Sequence, residues 1–476
     1  MDMAPQYLAA NRFGLGRRWD DPVVADPKAW LTRQLGDYEP APPAFAALAG
    51  REAIAAAYIA YREDKQAMRK EDASMSEDEK AMPAELRKLS RSEIRRHYVE
   101  AAGARLANAV ATPTPFPERL THFWANHFAV SADKLTTIGF TGNYEFEAIR
   151  PNIMGKFSDL LIAAVRHPAM LLYLDQAQSF GPDSPIAERA RNRQKKAKLG
   201  LNENLGREIM ELHTLGVRTG YTQADVTSFA KALTGLTVAG LGGGPGQRLM
   251  PGGARPGDTV FIQPLHEPGA QTILGKRYDQ PGAKQAEAVL RDLATHPATA
   301  THIATKLARH FSGDTPPPAL VERLAADFRK TGGDLPSLYH TLIASPEPWA
   351  DGRAMFKSPW DWMVSTMRAL KVPALGDKQN IPALFTQLGQ PVWRPGSPAG
   401  YDDLVATWAG SAALMQRVEL ASRIAGRIGD RADARKLAPL VLADALTPDT
   451  AQAIARADSP GQGLAMLLAS PAFLRR

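Results

Sequence analysis

Between Asn202 and Gly216 the chain reads Asn-Glu-Asn-Leu-Gly-Arg-Glu-Ile-Met-Glu-Leu-His-Thr-Leu-Gly. Three carboxylates, an arginine, two amides and a histidine share one short helical segment. At about 100° per residue, Asn204, Arg207, Glu208 and Glu211 fall within an arc of about 100°, with Leu201, Leu205, Leu212 and Leu215 beside or within it. If that face is buried, its carboxylates must be paired, protonated or bound to a metal, because an isolated buried charge is too costly. Glu208 and Glu211 are three residues apart and can converge. With His127 from another helix they form a candidate ligand set for a divalent metal, whose activated water would carry out hydrolysis. Two features weaken that set. No Glu-x-x-His element is present on either helix, and His213 lies about 170° from the middle of the polar face. A metal-free version makes His127 the general base, Glu208 its orienting partner and Arg207 the group that binds an anionic substrate. The purely structural alternative is a buried network in which Arg207 or Arg150 pairs with Glu208 or Glu211, while Asn126 and Asn204 cap helix ends.

The elements that must hold these residues are marked by their punctuation. Asn202 suits an N-cap, Glu203 the positive first turn and Gly216 the C′ position. Thr222 to Asp225 caps a following helix that ends near Thr234-Gly235. Pro113, Pro115 and Pro117 place another helix start near Pro117. On it Glu118, His122 and Asn126 form one stripe, and Arg119, Phe123 and His127 the next. Its two histidines are five apart, about 140° around the helix, which is a poor spacing for gripping one ion. Arg150, with Glu145 and Glu147 nearby, is a further polar cluster among apolar helices. Asn126, Arg150, Asn204 and Trp393 are the candidate substrate-binding residues. Trp393 and Tyr401 could stack on a sugar ring or peptide, or simply staple a long loop.

Most of the remaining chain is periodic at helical spacing. Trp30, Leu31 and Leu35 mark an early buried face, and 58–110 reads as a charged helical hairpin interrupted at 71–79. From 238 to 282 Gly and Pro dominate. There Thr259 to Ile262 and Gln271 to Leu274, flanking His266 to Gly269, predict a small β-hairpin. This stretch is no phosphate loop, since it lacks the Gly-Lys-Ser/Thr ending. Helices resume from Gln285. The expected fold is mainly α, a multi-helix globular bundle with a small Gly/Pro-rich β-hairpin insertion. Its regions are 1–237, 238–282 and 283–476, packed as one body. Phe123, Trp124, Phe128, Leu171, Leu172, Leu212, Leu215, Phe229 and Leu233 are the expected core.

Composition narrows the chemistry. The 476 residues are 44% hydrophobic and 22% charged, which suits a globular protein. There is no cysteine, so disulfides, thiolate nucleophiles and iron–sulfur clusters are excluded. Any metal must be held by His, Asp and Glu. The net charge of +7 is mild, and the one basic run, Arg189 to Lys198, has no interleaved aromatics. It fits a solvated loop, or a lid over an acidic or phosphorylated ligand, better than a nucleic-acid surface. No apolar run is long enough for a membrane span and no secretory signal is visible, so the chain as written is expected in the cytoplasm. No Gly-x-Ser-x-Gly elbow occurs, and no nucleotide or redox cofactor is signalled.

Phe123 to Phe128, Asn202 to Gly216 and Tyr221 to Gly235 together resemble the bacterial family catalogued as domain of unknown function 1800. Supporting segments are Ala10 to Gly14, His167 to Asp175, the His266 region with Gly275, Lys306 to Phe311, Leu388 to Pro391 and Ser397 to Gly400. The resemblance implies a largely helical protein. It also implies export in many members, and a gene neighbour encoding a sulfatase-like protein. Against that pattern no signal is visible here, so either the chain is cytoplasmic, or it travels to the periplasm with a signal-bearing partner, or its true start lies elsewhere. The family supplies no catalytic residues to carry over. The functional expectation is therefore a metal-assisted hydrolase, and the alternative is a non-catalytic helical scaffold or partner of a sulfatase-like protein.

Overall fold

Proline and short polar caps cut this chain into many brief helices. Asp26, Asp334, Ser358, Asn380, Thr447 and Ser459 each accept a backbone N–H of the first turn, and each is followed within two residues by a proline. Thr222 and Asp225 form a reciprocal capping box. The computed structural model describes residues 5–22, 24–71, 81–192, 200–242, 249–350, 355–372 and 380–476. They are mainly α-helical, with two two-stranded antiparallel sheets. No helix among them is long and apolar enough to cross a membrane. The charged hairpin consists of helices Arg51–Glu71 and Ala81–Ala111. Most of the predicted interruption within it, and most of the basic run after Arg191, lie outside the described residues.

The strands pair differently from expectation. β1 (Leu236–Val238) pairs with β2 (Thr259–Phe261), and β3 (Gln271–Ile273) pairs with β4 (Lys276–Tyr278). The two predicted strands thus belong to separate sheets. Leu274 and Gly275 both have positive φ, 51° and 74°, which is the backbone of a two-residue hairpin turn and folds β3 onto β4 directly. The His266 segment instead docks on the end of helix Gln223–Leu233. His266 Nδ1 lies 2.8 Å from the Thr234 carbonyl, and the Glu267 N–H donates to Thr234 Oγ1.

Two hydrophobic cores organise the helices. The first gathers Phe116, Leu120, Trp124, Phe128 and Phe157 with apolar residues as far along the chain as Ile343. The second is built on Trp362, Met363, Leu464, Leu467 and Leu468 and draws in Tyr7, Leu8 and the end of helix Ala81–Ala111. Phe123, Trp124, Phe128, Leu171, Leu172, Leu215, Phe229 and Leu233 are buried as expected. Leu212 is only half-buried, because it sits in a widened π-turn, Ile209–His213. His213 and Leu215 on either side of the turn's end are buried. Helix Pro115–His127 begins two residues before Pro117, with Pro115 in its first turn.

Candidate functional site

The signature segment starts as helix Asn204–Glu208 and runs into the π-turn. Asn202 Oδ1 accepts the Asn204 N–H at 2.9 Å, so the expected cap works two residues ahead, and Gly216 has φ 92° as a C′ position would. The polar face, however, is not enclosed. Asn204 is exposed, and Arg207, Glu208 and Glu211 are half-buried. Arg207 donates to Glu203 and to Gln223, not to Glu208 or Glu211. Burial and the neighbouring Glu211 push Glu208 above the ordinary carboxylate range.

His127 lies elsewhere, fully inside the first core. Its Nε2 is 3.1 Å from the His213 carbonyl oxygen, and His302 Nε2 is 2.9 Å from that of Leu212. A carbonyl only accepts, so both imidazoles carry their proton on Nε2. They satisfy two carbonyls at the end of the signature helix, where ordinary helical donors have run out. Burial, with Lys306 close by, holds His127 well below the usual imidazole range. No hydrogen bond or ion pair joins His127 to Arg207, Glu208 or Glu211, and among the described residues no three His, Asp or Glu side chains converge as a metal would need.

Arg150 is also internal. Its Nη1 lies 2.9 and 2.8 Å from the two oxygens of buried Glu118, which accepts Asn108 Nδ2 as well. These are the residues of a satisfied buried ion pair rather than of an open site. The pairing foreseen for Arg150 thus occurs with Glu118, on the same helix as Asn126.

The other two predicted binding residues do meet. Asn126 and Trp393 line a cavity of about 100 Å³ between the two cores, with Trp360, Tyr401 and His310. At about 30 Å³ per water in the liquid, it has room for roughly three waters. Asn126 holds the Tyr401 backbone at both ends, donating to its carbonyl at 2.8 Å and accepting its N–H at 2.7 Å. Trp393 Nε1 donates to Glu145, which also accepts Arg105, and the Arg105 guanidinium lies 4.3 Å over the Trp360 ring.

Two polar groupings in the cavity wall were not singled out by sequence. His310 Nδ1 is 3.1 Å from each oxygen of Asp403. An ionised carboxylate only accepts, so the proton is on Nδ1 and the Nε2 lone pair is left without a partner. Burial holds His310 below the usual imidazole range against the opposing pull of Asp403, so the ring is neutral at neutral pH. Beside it, Arg119 Nη1 and Arg476 Nε both lie 3.2 Å from Asp361 Oδ2, and Arg476 Nη1 donates to the His310 carbonyl. Burial opposes the ionisation of Asp361, but these guanidinium groups outweigh it and hold the carboxyl far below its usual range. The buried indole Nε1 of Trp360 has no acceptor. One signal was available. His302, Lys306 and His310 recur at i, i+4 and i+8 on helix Pro297–Ser312 and form one polar stripe.

Segments that carry the family resemblance converge here, Phe123 to Phe128, Lys306 to Phe311 and Leu388 to Pro391 each giving at least one wall residue. No curated protein and no solved structure matches the chain. The model of one family, described as a protein of unknown function (DUF1800), matches residues 8–475, and the chain belongs to that family.

Proposed function

We propose that the cavity between the cores is the active site of a hydrolase working by general acid–base catalysis, with His310 as base and Asp403 as its orienting partner. The observation that carries this reading is the double contact of Asp403 to His310 Nδ1, which leaves an unpartnered lone pair on the buried Nε2 of a residue that lines the cavity. In the proposed step Nε2 takes a proton from water as the water oxygen bonds to the electrophilic centre of the substrate. The imidazolium, stabilised by Asp403, then returns that proton to the leaving group as its bond breaks. Asn126 supports the site by holding the Tyr401 backbone, and Trp360 and Trp393 supply walls. A metal-assisted version would instead need Glu208, Glu211 and His127 to converge, and the carbonyl contact of His127 gives that version no support.

The test is turnover of a panel of small carboxylate esters, amides and phosphate esters by purified protein. His310→Ala should lower kcat/KM by about 10²–10⁴-fold with the circular dichroism unchanged. Unchanged turnover in that variant, or no turnover across the panel, overturns the proposal. The scaffold reading draws on exposed Met415 and Val418, one turn apart on helix Ser411–Ile428; co-purification with a sulfatase-like protein tests it.

A further inference from the structure

Buried positive charge gathers around the cavity: Arg119 and Arg476 line it, and Lys357 and Arg417 lie outside its lining. Asp361 is contacted through one oxygen by both Arg119 and Arg476, which are 2% and 3% exposed. Lys357, 2% exposed, reaches the neutral oxygens of Asn11 and Ser365, at 3.4 and 3.1 Å, and lies 4.3 Å over the ring of Phe473. Arg417, 1% exposed, has no hydrogen-bond partner on any of its three guanidinium nitrogens and lies 4.8 Å over the ring of Phe356, itself a wall residue. Asp361 is the carboxylate that draws on both Lys357 and Arg417.

Buried groups of this kind are normally paired, since each uncompensated ion costs several kcal/mol. A lysine can escape by losing its proton, and burial brings Lys357 down to about 7. A guanidinium has no such escape. Arg119 Nε donates to the Gly14 carbonyl at 2.7 Å and Arg476 Nη1 to that of His310 at 3.2 Å, but Arg476 Nε, though close to Asp361, makes no aligned hydrogen bond, so part of its directional capacity is unused.

We infer that the cavity binds a small oxyanion-bearing ligand, a carboxylate, phosphate or sulfate group seated against Arg119 and Arg476, with its remaining atoms between Trp360 and Trp393. Arg417 and Lys357 add field without touching the ligand. The inference rests on the reading of this cavity as the active site and assigns its substrate class. A guanidinium fork matches the paired oxygens of such groups, and a water-poor site strengthens the attraction.

Differential scanning fluorimetry and indole fluorescence of the full chain, with sodium phosphate, sulfate, acetate and benzoate at ionic strength fixed by chloride, test it. The expected result is a saturable rise in Tm of roughly 3–6 °C that chloride does not give. A larger response to phosphate and sulfate assigns a tetrahedral group, and one to acetate and benzoate a carboxylate. Arg476→Gln should abolish the response. Arg417→Met should raise Tm in anion-free buffer, because an unpaired buried charge is replaced by an apolar chain of similar length, and should shrink the anion-dependent rise. No response beyond chloride in the wild type, or a full response in Arg476→Gln, overturns the inference. His310→Ala should keep the anion response. An anion response without His310-dependent turnover therefore removes the catalytic reading alone, and turnover without an anion response removes this one alone.

Discussion

His127 Nε2 sits 3.1 Å from the carbonyl oxygen of His213, so a side chain of one signature segment closes the helix end of another. The contact has a parallel in His302 and Leu212. Both carbonyls lie in the π-turn that ends the signature helix, and each imidazole supplies the donor that the helix no longer provides. His127→Ala should therefore cost about 2–4 kcal/mol in urea denaturation, from lost packing and an orphaned buried carbonyl. Chelator treatment should leave that stability unchanged. A chelator-induced drop in Tm, restored by zinc or manganese and absent in Glu208→Gln, would return the metal site to consideration.

The same cluster sets an acid limit on the fold. Burial, followed by the charge of Lys306, brings His213 down to about 3 and His302 to about 4 from an ordinary 6.5. Their folded-state pKa values are depressed, so the unfolded chain binds protons first as pH falls. The stability they contribute is complete above about pH 6.5 and declines between there and pH 4 to 3. Urea midpoints measured across that window should fall, and His213→Phe should flatten the slope. A midpoint independent of pH from 6.5 to 4 would contradict the assignment.

Glu118 and Arg150 form a pair whose loss should be asymmetric. Removing one partner strands a buried charge, so Arg150→Met alone should cost about 3–5 kcal/mol, while the double variant with Glu118→Gln should recover a large part. Burial opposes ionisation of Glu118, but Arg150 and His122 outweigh it and bring the carboxyl to about 2. Its stabilising contribution is present above about 4.5 and is lost as pH falls towards 2. A double-mutant cycle with no coupling would show that the pair does not hold the helices.

Asn126 and Gly400 together place the loop that delivers Asp403. Gly400 has φ 85°, and a Cβ there would collide with the Asn126 carbonyl and side chain. Gly400→Ala and Asn126→Ala should each lower stability by about 1–3 kcal/mol. Both should also reduce His310-dependent turnover more than they change the circular dichroism. Equal turnover in wild type and Asn126→Ala would detach the loop from the site.

Asp403 raises the imidazole of His310 while burial lowers it. Asp403→Asn removes the raising influence, so the acid limb of kcat/KM should shift to lower pH, with the plateau reduced by a factor of about ten or more. A limb that stays in place would mean that another group titrates.

Local rules made much of the architecture legible. Proline and cap residues mark helix starts, and apolar spacing identified the buried faces of Phe123 to Phe128, Phe229 and Leu233, because both depend on neighbours within a few positions. The same rules failed at the hairpin, where the positive-φ turn at Leu274-Gly275 chose the partner of β3. They also failed at Leu212, where a π-turn shifted the register.

The sequence by itself determined the helical class, the absence of thiol chemistry and the separation of His213 from the Asn204 to Glu211 face. It also placed Asn126 and Trp393 among the binding candidates. Only the tertiary structure decided which polar side chains share a space. Arg150 meets Glu118 across 32 positions, and His310 meets Asp403 across 93. Arg119 and Arg476 meet at Asp361, which is brought to them by the packing of the second core against the first. Spacing on one helix cannot encode such meetings, because they depend on how separate helices stack. The density of polar residues in Asn202 to Gly216 is read locally, whereas its burial is a property of the whole fold.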